Sequence, residues 1–424
     1  MKSKQEQKFK VTEIGKIPID WDTDKLENHL IIKGRIGWKG LKTSEYTESG
    51  PYIVTGIQIK EKRVSWEECS HITEERYLES PEIMLHEEDI LMTKDGTIGK
   101  LAFIEKINHK ATVASHIHVI RKNSEKIIPK FLFYAFQSTQ FKNLIESKIS
   151  GSVVPALTQK DINGTIFPIP PIKEQIFIAK IFYELDSKIR TLRNQNKILE
   201  QIAQTIFKSW FVDFDGVTEF EDSELGQIPK GWKISSIAKE CNKINYGFTQ
   251  SSVEKPIGPH FLRITDIGKD FLNWEEVPYC EINSKDFERY QLFDGDIVIA
   301  RTGANTGINK LITLPPKSVF ASYLIRLKPK SSCFSEYISS FLQSSMYKNY
   351  IHSVLGEKSA QPNANAKTLT EIEILIPEQK IFERFGIISK SIHTCIEKNN
   401  YQISKLISIR DNLLPKLMSG EIRV

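Results

Sequence analysis

The chain has 424 residues, 40% of them apolar, and a formal net charge of +5. That length is enough for two domain cores, and so mild a positive charge permits an anionic partner without demanding one. The five cysteines (Cys69, Cys241, Cys280, Cys333, Cys395) are scattered and no apolar run approaches 18 residues, which argues against a zinc or disulfide framework and a membrane span and for a cytoplasmic setting.

In chain order, residues 1–171 read as a first globule. Short β-type runs such as Tyr52–Thr55, Ile90–Thr93 and Ile117–Ile120 are separated by Gly, Pro and Asn. One helix is expected over Pro129–Lys148, with Phe133, Phe136 and Phe141 at helical spacing. A proline then opens a long helix over 172–212, where Phe182, Leu185, Ile189, Leu192, Asn196, Leu199, Ala203, Ile206 and Trp210 recur in steps of three and four. An acidic linker is expected over 213–224.

The second globule, 225–377, repeats the texture with Ile297–Ile299, Tyr323–Leu327 and a helix over Ser335–His352. A second long helix covers 378–418 with seam residues Phe385, Ile392, Ile396, Asn399, Ile403, Leu406, Leu413 and Leu417, interrupted at Ser389 and Arg410. Residues 419–424 remain as a C-terminal tail. Two rods of about 40 residues span roughly 60 Å each. Since the second must return from the second globule, an antiparallel coiled coil with a globule at either end is the expected architecture. Asn196 and Asn399 are read as polar residues setting the register of that pair.

The two halves carry the same phrases. Ile14-Gly15-Lys16-Ile17-Pro18-Ile19-Asp20-Trp21 returns as Leu225-Gly226-Gln227-Ile228-Pro229-Lys230-Gly231-Trp232, and Asp89-Ile90-Leu91-Met92-Thr93 as Asp296-Ile297-Val298-Ile299-Ala300. Trp21 and Trp232 are 211 residues apart, Ser115 and Ser322 are 207 apart, and Gln175 and Gln379 are 204 apart. A slowly shrinking offset is what small loop deletions between two copies produce, and a period this long is a whole domain plus an appendage.

No phosphate-cradling loop, dinucleotide fingerprint, methyltransferase tetrapeptide, nucleophile elbow or zinc helix is present, so no catalytic residue and no metal ligand is assigned. His116 and His118 alternate on an expected strand but lack a third ligand nearby. The most specific local feature is the loop after each Asp-Ile strand, with Lys94 and Thr97 in the first copy and Arg301, Thr302 and Asn305 in the second. These donors suit phosphates and base edges, although such compositions also make plain polar turns. Arg35 and Lys39, with Trp38 between them, form a basic–aromatic cluster whose weaker counterpart includes Tyr246 and Thr249.

Taken together, these residues resemble the DNA-specificity (S) subunit of type I restriction–modification systems over essentially the whole chain. The marks are Glu224–Trp232, Gly295–Gly303, Ile166–Gln175 and the ending Leu413–Gly420. Asp20 and Glu88 depart from the pattern where Gly231 and Gly295 stand in the second copy. The resemblance implies an α+β fold of two target-recognition domains, each reading half of a bipartite, asymmetric double-stranded DNA site, with the helix pair as a ruler. It implies docking of two methyltransferase (M) subunits, for which Phe207, Trp210, Phe211, Leu414 and Leu417 are candidates, and of restriction (R) subunits where present. S-adenosylmethionine, Mg and ATP are expected on those partners, with no cofactor in this chain. Under the same resemblance Arg63, His116, Arg263 and Tyr323 join the candidate DNA contacts. The rival readings are a duplicated-domain scaffold for protein or glycan, and a fused S-like modification enzyme.

Overall fold

A computed structural model describes residues 8–35, 41–149, 156–268, 271–355 and 363–424. It divides into two compact units, Met1–Lys188 with Leu406–Val424, and Ile189–Lys405. The division falls inside both long helices, because the two ends of each helix bury their apolar faces in different cores.

In the first unit a four-stranded antiparallel sheet has the order Leu101–Phe103, Ile90–Thr93, Ile117–Lys122, Leu30–Gly34. Beside it Tyr46–Val54 pairs in parallel with Ala111–Val113, and Asp22–Lys25 pairs with Ile166–Ile169. The second unit repeats this order strand for strand: Asn309–Leu311, Ile297–Ala300, Leu324–Pro329, Cys241–Tyr246. His260–Leu262 pairs in parallel with Ser318–Phe320, and Lys233–Ser236 pairs antiparallel with Glu373–Ile376. Ile90–Thr93 and Ile297–Ala300 are buried throughout, as central strands covered on both faces must be.

The repeated phrases perform the same local tasks in both units. Gly15 (φ 101°) and Gly226 (φ 90°) turn matching hairpins, Phe9–Thr12 with Gly15–Pro18 and Phe220–Ser223 with Gly226–Pro229. The acidic stretch expected as a linker therefore supplies a strand, with Glu221 opposite Ile228 and Lys230 bonded to Glu219 at 2.8 Å. Asp89 and Asp296 cap the turn before their strands, accepting from His86 N (2.8 Å) and Phe293 N (3.0 Å). Each also faces a buried-strand arginine, Arg121 at 2.7 Å and Arg326 at 3.7 Å. Glu88 adopts the left-handed backbone of its glycine counterpart (φ 68° against 87° for Gly295), so the turn survives the substitution.

Each expected aromatic helix is instead two, Pro129–Ala135 with Thr139–Ile149 and Ser332–Gln343 with Ser345–Leu355. A serine breaks both. Ser138 Oγ accepts from Phe141 N (3.3 Å) and Ser344 Oγ from Tyr347 N (3.4 Å), so each serine caps the second helix.

The long helices run Ile172–Phe211 and Gln379–Met418. Within each unit their segments are antiparallel. In the second unit Asn196 Oδ1 accepts from Asn399 Nδ2 and Asn196 Nδ2 donates to Asn400 Oδ1, both at 2.8 Å. The aromatic knot of Phe207, Phe211, Trp232, Tyr337 and Phe385 lies nearer one end, with Phe211 edge-on to Phe385 at 4.9 Å. In the first unit Ile178, Phe182, Leu417 and Met418 enter the core with Phe131, Phe136 and Phe141.

The tail of the chain is fastened to that unit. Arg423 forks onto Glu174 (2.6 and 2.7 Å) and onto Asp20 (2.9 and 2.8 Å), while Trp21 Nε1 donates to Glu174 Oε2 at 3.0 Å. A Cβ on Gly420 would collide with Pro18, so only glycine fits beneath the hairpin. Gln175, fully buried, donates to Pro170 O and Lys126 O and accepts from Ile128 N, each at 2.8 Å.

Two measurable consequences follow. Arg423→Ala strands the buried Glu174 carboxylate beside Trp21, and is expected to cost the first unit about 2 kcal/mol in denaturant unfolding. The Arg423 guanidinium holds the Asp20 carboxyl below the usual range, so this contribution is present above the unfolded carboxylate pKa and is lost as pH falls through the lowered one. Lys62 behaves oppositely: burial pulls its ammonium down to about 8. Stability should therefore be penalised below pH 8 and recover as pH rises toward the unfolded lysine value. Lys62→Met should raise the unfolding free energy at pH 7 by on the order of 1 kcal/mol, discounted because part of the side chain still reaches solvent, and the gain should vanish near pH 10.

Candidate nucleic-acid interface

The polar residues following the two Asp-Ile strands occupy equivalent sheet ends, held by the same backbone bonds. In the first unit Lys94 N donates to His116 O (3.0 Å) and Leu157 N donates to Lys94 O (2.7 Å). In the second, Arg301 N donates to Tyr323 O (3.0 Å) and Ala364 N donates to Arg301 O (2.9 Å). Lys94 thus corresponds to Arg301, and His116 to Tyr323. The two ends share a frame and differ in side chains.

In the second unit this end is cationic and aromatic. Arg301 lies over the Tyr246 ring at 4.8 Å and donates through Nη2 to Asn363 Oδ1 at 3.0 Å. Tyr246 Oη in turn accepts from Ala366 N at 3.0 Å, which fixes the ring beneath the guanidinium. Tyr323 stands out with 61% of its surface exposed. Thr302 bridges Asn363, and Asn305, half-buried, lies beside Gly268. Gly307 closes the loop against Ile351 in a left-handed backbone (φ 93°) that favours glycine. Thr249 is exposed three residues beyond Tyr246. A positioned guanidinium with neighbouring amide, hydroxyl and ring groups is equipped to donate to base edges or phosphates and to stack.

The first-unit end is built differently. His116 sits in the turn before its strand, exposed, and its Nδ1 pairs with Asp95 Oδ1 at 2.6 Å. His118 lies inside, with Nε2 at 2.9 Å from Leu157 O, and burial lowers its pKa. The two histidines therefore do not share a face, because His116 precedes the strand whose alternation would align them. Thr97 is exposed and Lys94 half-buried; Thr93 Oγ1, which donates to Thr97 O and accepts from Lys100 N, ties the loop.

The other arginines are already committed. Arg35 is 2% exposed, with Nε donating to Val113 O at 3.3 Å, and desolvation lowers its pKa. Arg63 is paired with Glu105. Arg263 forks onto Asp266 (3.0 Å to each oxygen) and reaches Ser252 at 3.3 Å, and the Asp266 hydrogen bonds raise its pKa. As folded, these three hold structure, whereas Arg301 is held at the sheet end itself by Asn363 and Tyr246. Lys39 lies outside the described residues.

The residues expected to meet a partner also need correction. Phe207, Phe211 and Leu417 are 1%, 4% and 1% exposed, consumed by the cores of their own units. Trp210 and Leu414 are half-buried at the margins of those cores.

Asp95 lies in the loop that the sequence singles out, but its pairing with His116 was not evident there, and Asn363, which orients Arg301, was not evident at all. Asn363 is 62 residues from its arginine and belongs to no repeated phrase. A repeat that was there to be found is Trp66-Glu67-Glu68 with Trp274-Glu275-Glu276, a short 3-10 turn in both units. Its tryptophans sit among Tyr52 and His109, and beside His260.

Among the described residues no cluster of His, Cys, Asp or Glu could hold a metal ion, and no helix is long and apolar enough to cross a membrane. Burial pushes the thiols of Cys69 and Cys280 up to about 11 and that of Cys241 to about 12, so none of the three is an activated nucleophile at neutral pH.

The family described as the type I restriction modification DNA specificity domain matches residues 18–202 and again 216–405. The type I restriction enzyme MjaIX specificity subunit of Methanocaldococcus jannaschii is 26% identical over 440 residues, covering 100% of this chain and 98% of that protein. The HindI specificity subunit of Haemophilus influenzae is 28% identical over 392 residues, covering 76% of this chain and 84% of that protein. The S subunit of a type I restriction–modification system from M. genitalium shares the fold, with a TM-score of 0.61 at 16% identity over 97% of this chain and 98% of that one. With both of its repeats matched, the chain belongs to the type I restriction–modification DNA-specificity family.

Proposed function

We propose that this chain is the sequence-specific DNA-binding subunit of a type I restriction–modification complex. Each recognition domain reads one half of a bipartite, asymmetric site, and the paired long helices set the half-site spacing and dock the methyltransferase subunits. The observation that carries this reading is the matched pair of sheet ends: one backbone frame used twice, presenting Lys94 and His116 in one domain and Tyr246, Arg301 and Tyr323 in the other. Identical frames with different side chains suit two related ligands that differ in detail, as two unlike half-sites do. The same comparison disfavours a scaffold binding one repeated protein or glycan.

Chemistry is assigned to the partners. Methyl transfer from S-adenosylmethionine would come from M subunits, and Mg- and ATP-dependent cleavage from R subunits. The buried thiols and the absence of catalytic phrases in the sequence support that division. Among the docking candidates, Trp210 and Leu414 are the ones whose side chains remain partly accessible.

Reconstituting the chain with its M subunits and mapping methylated adenines over a random-sequence library tests the reading. Arg301→Ala should relax discrimination in one half-site only, by roughly 10–100-fold, the ~1–3 kcal/mol of a good base contact. Lys94→Ala with His116→Ala should affect only the other half. Loss spread evenly over both halves, or methylation independent of this chain, would overturn the assignment.

A further inference from the structure

The joint between each globule and the long helices has two parts of different physical character. The first is apolar. Phe182 packs on Tyr134 at 5.3 Å in one unit, and Phe385 on Tyr337 at 6.4 Å in the other. Apolar burial is non-directional, so it holds surfaces together while tolerating small rotations.

The second part is polar, and it recurs at one helical position. Four residues beyond each of these phenylalanines stands a polar side chain, Asp186 in the first helix and Ser389 in the second, ~6 Å further along the axis. Asp186 Oδ2 is 3.8 Å from Lys62 Nζ, at the tip of the hairpin turn between Ile59–Lys60 and Arg63–Val64 in the first globule. Its other oxygen accepts from Arg410 Nη1 of the second helix at 2.9 Å. Ser389 Oγ donates to Glu336 Oε2 of the second globule at 2.8 Å, and His393 Nδ1 meets the same oxygen at 2.5 Å. Ser389 and Arg410 are the two interruptions in the apolar seam of the second helix. Both gaps are therefore filled by contacts that reach toward a globule, directly or through Asp186.

Ser389 is 1% exposed and Glu336 6%, and the side chains of Asp186 and Arg410 are 13% and 18% exposed. Polar groups this poorly solvated are weak sources of stability and strong sources of geometric selectivity, because a small rotation breaks the bond without offering water in return. Set one turn away from an apolar pivot, they resist rocking of the globule about that pivot.

We propose that the Lys62–Asp186–Arg410 and Glu336–Ser389–His393 contacts are positioning contacts that set how strictly the protein discriminates the length of DNA between its half-sites. This rests on the two-half-site reading above. It makes spacer selectivity a property of helix length and joint stiffness together.

The test uses the full chain assembled with its M subunits. Binding and methylation are measured on duplexes carrying the native spacer, on duplexes one base pair longer or shorter, and on duplexes with a single half-site. Asp186→Asn combined with Glu336→Gln, which keeps side-chain size, should reduce the preference for the native spacer at least ~5-fold, the equivalent of about 1 kcal/mol. Binding to single half-sites should stay within about twofold. Arg410→Lys, which keeps the charge, should retain most of the discrimination, and Lys62→Met should lose it in part while the protein remains folded. These two single variants decide the matter if the double variant does not fold. An unchanged preference, or an equal loss on every duplex, overturns the proposal. A wild-type complex indifferent to spacer length would show up before any variant is made, and would count against the two-half-site reading itself.

Discussion

A polar side chain placed in an apolar seam must find a partner, and this constraint organises the molecule. The seam of the long helices would be uniform if stability were the only demand. Instead it carries Asn196 with Asn399 and Asn400, Asp186 with Arg410, and Ser389 with Glu336. A shift of one residue would part each of these pairs, at roughly 1–3 kcal/mol for every group left unsatisfied, so together they select one register from the several that leucine and isoleucine alone would accept. Glu174 does the same at the start of the first helix, where Trp21 and Arg423 converge on one carboxylate.

The repeat was legible in sequence because its phrases do local work that only certain residues perform. Gly15 and Gly226 supply positive φ, and Asp89 and Asp296 cap turns. The long helices were legible through their spacing, since a seam over many turns leaves little alternative. The breaks at Ser138 and Ser344 were not, because a single serine can sit within a helix or cap one, and its neighbours do not decide which. Arg35 looked like an outward basic residue for a related reason. Charge predicts a solvated surface, yet the strand before it carries this side chain inward to Val113 O. At the candidate interface, the end of the Asp-Ile strand and its loop could be named from sequence, whereas Asn363 comes from a distant loop whose approach only the folded backbone reveals, as it alone reveals that Asp95 turns to His116.

The departures of the first copy from the second have physical reasons of their own. Asp20 stands where the second copy has Gly231, and it receives Arg423 from the tail. Glu88 replaces Gly295 yet keeps the left-handed turn, which costs an L-residue roughly 1 kcal/mol. In the second repeat Gln379 is exposed and donates to Glu383 four residues on, so the buried-glutamine anchor of the first helix is not repeated there. The two copies share a topology while fastening their helices by different means.

The backbone bonds joining Lys94 to Leu157 and Arg301 to Ala364 use no side-chain atoms. Whatever residue other than proline occupies those two positions, the amide and the carbonyl that hold the sheet end in place remain. Substitution at the two proposed reading positions is thereby uncoupled from these bonds, so new side chains can be presented there on an unchanged frame.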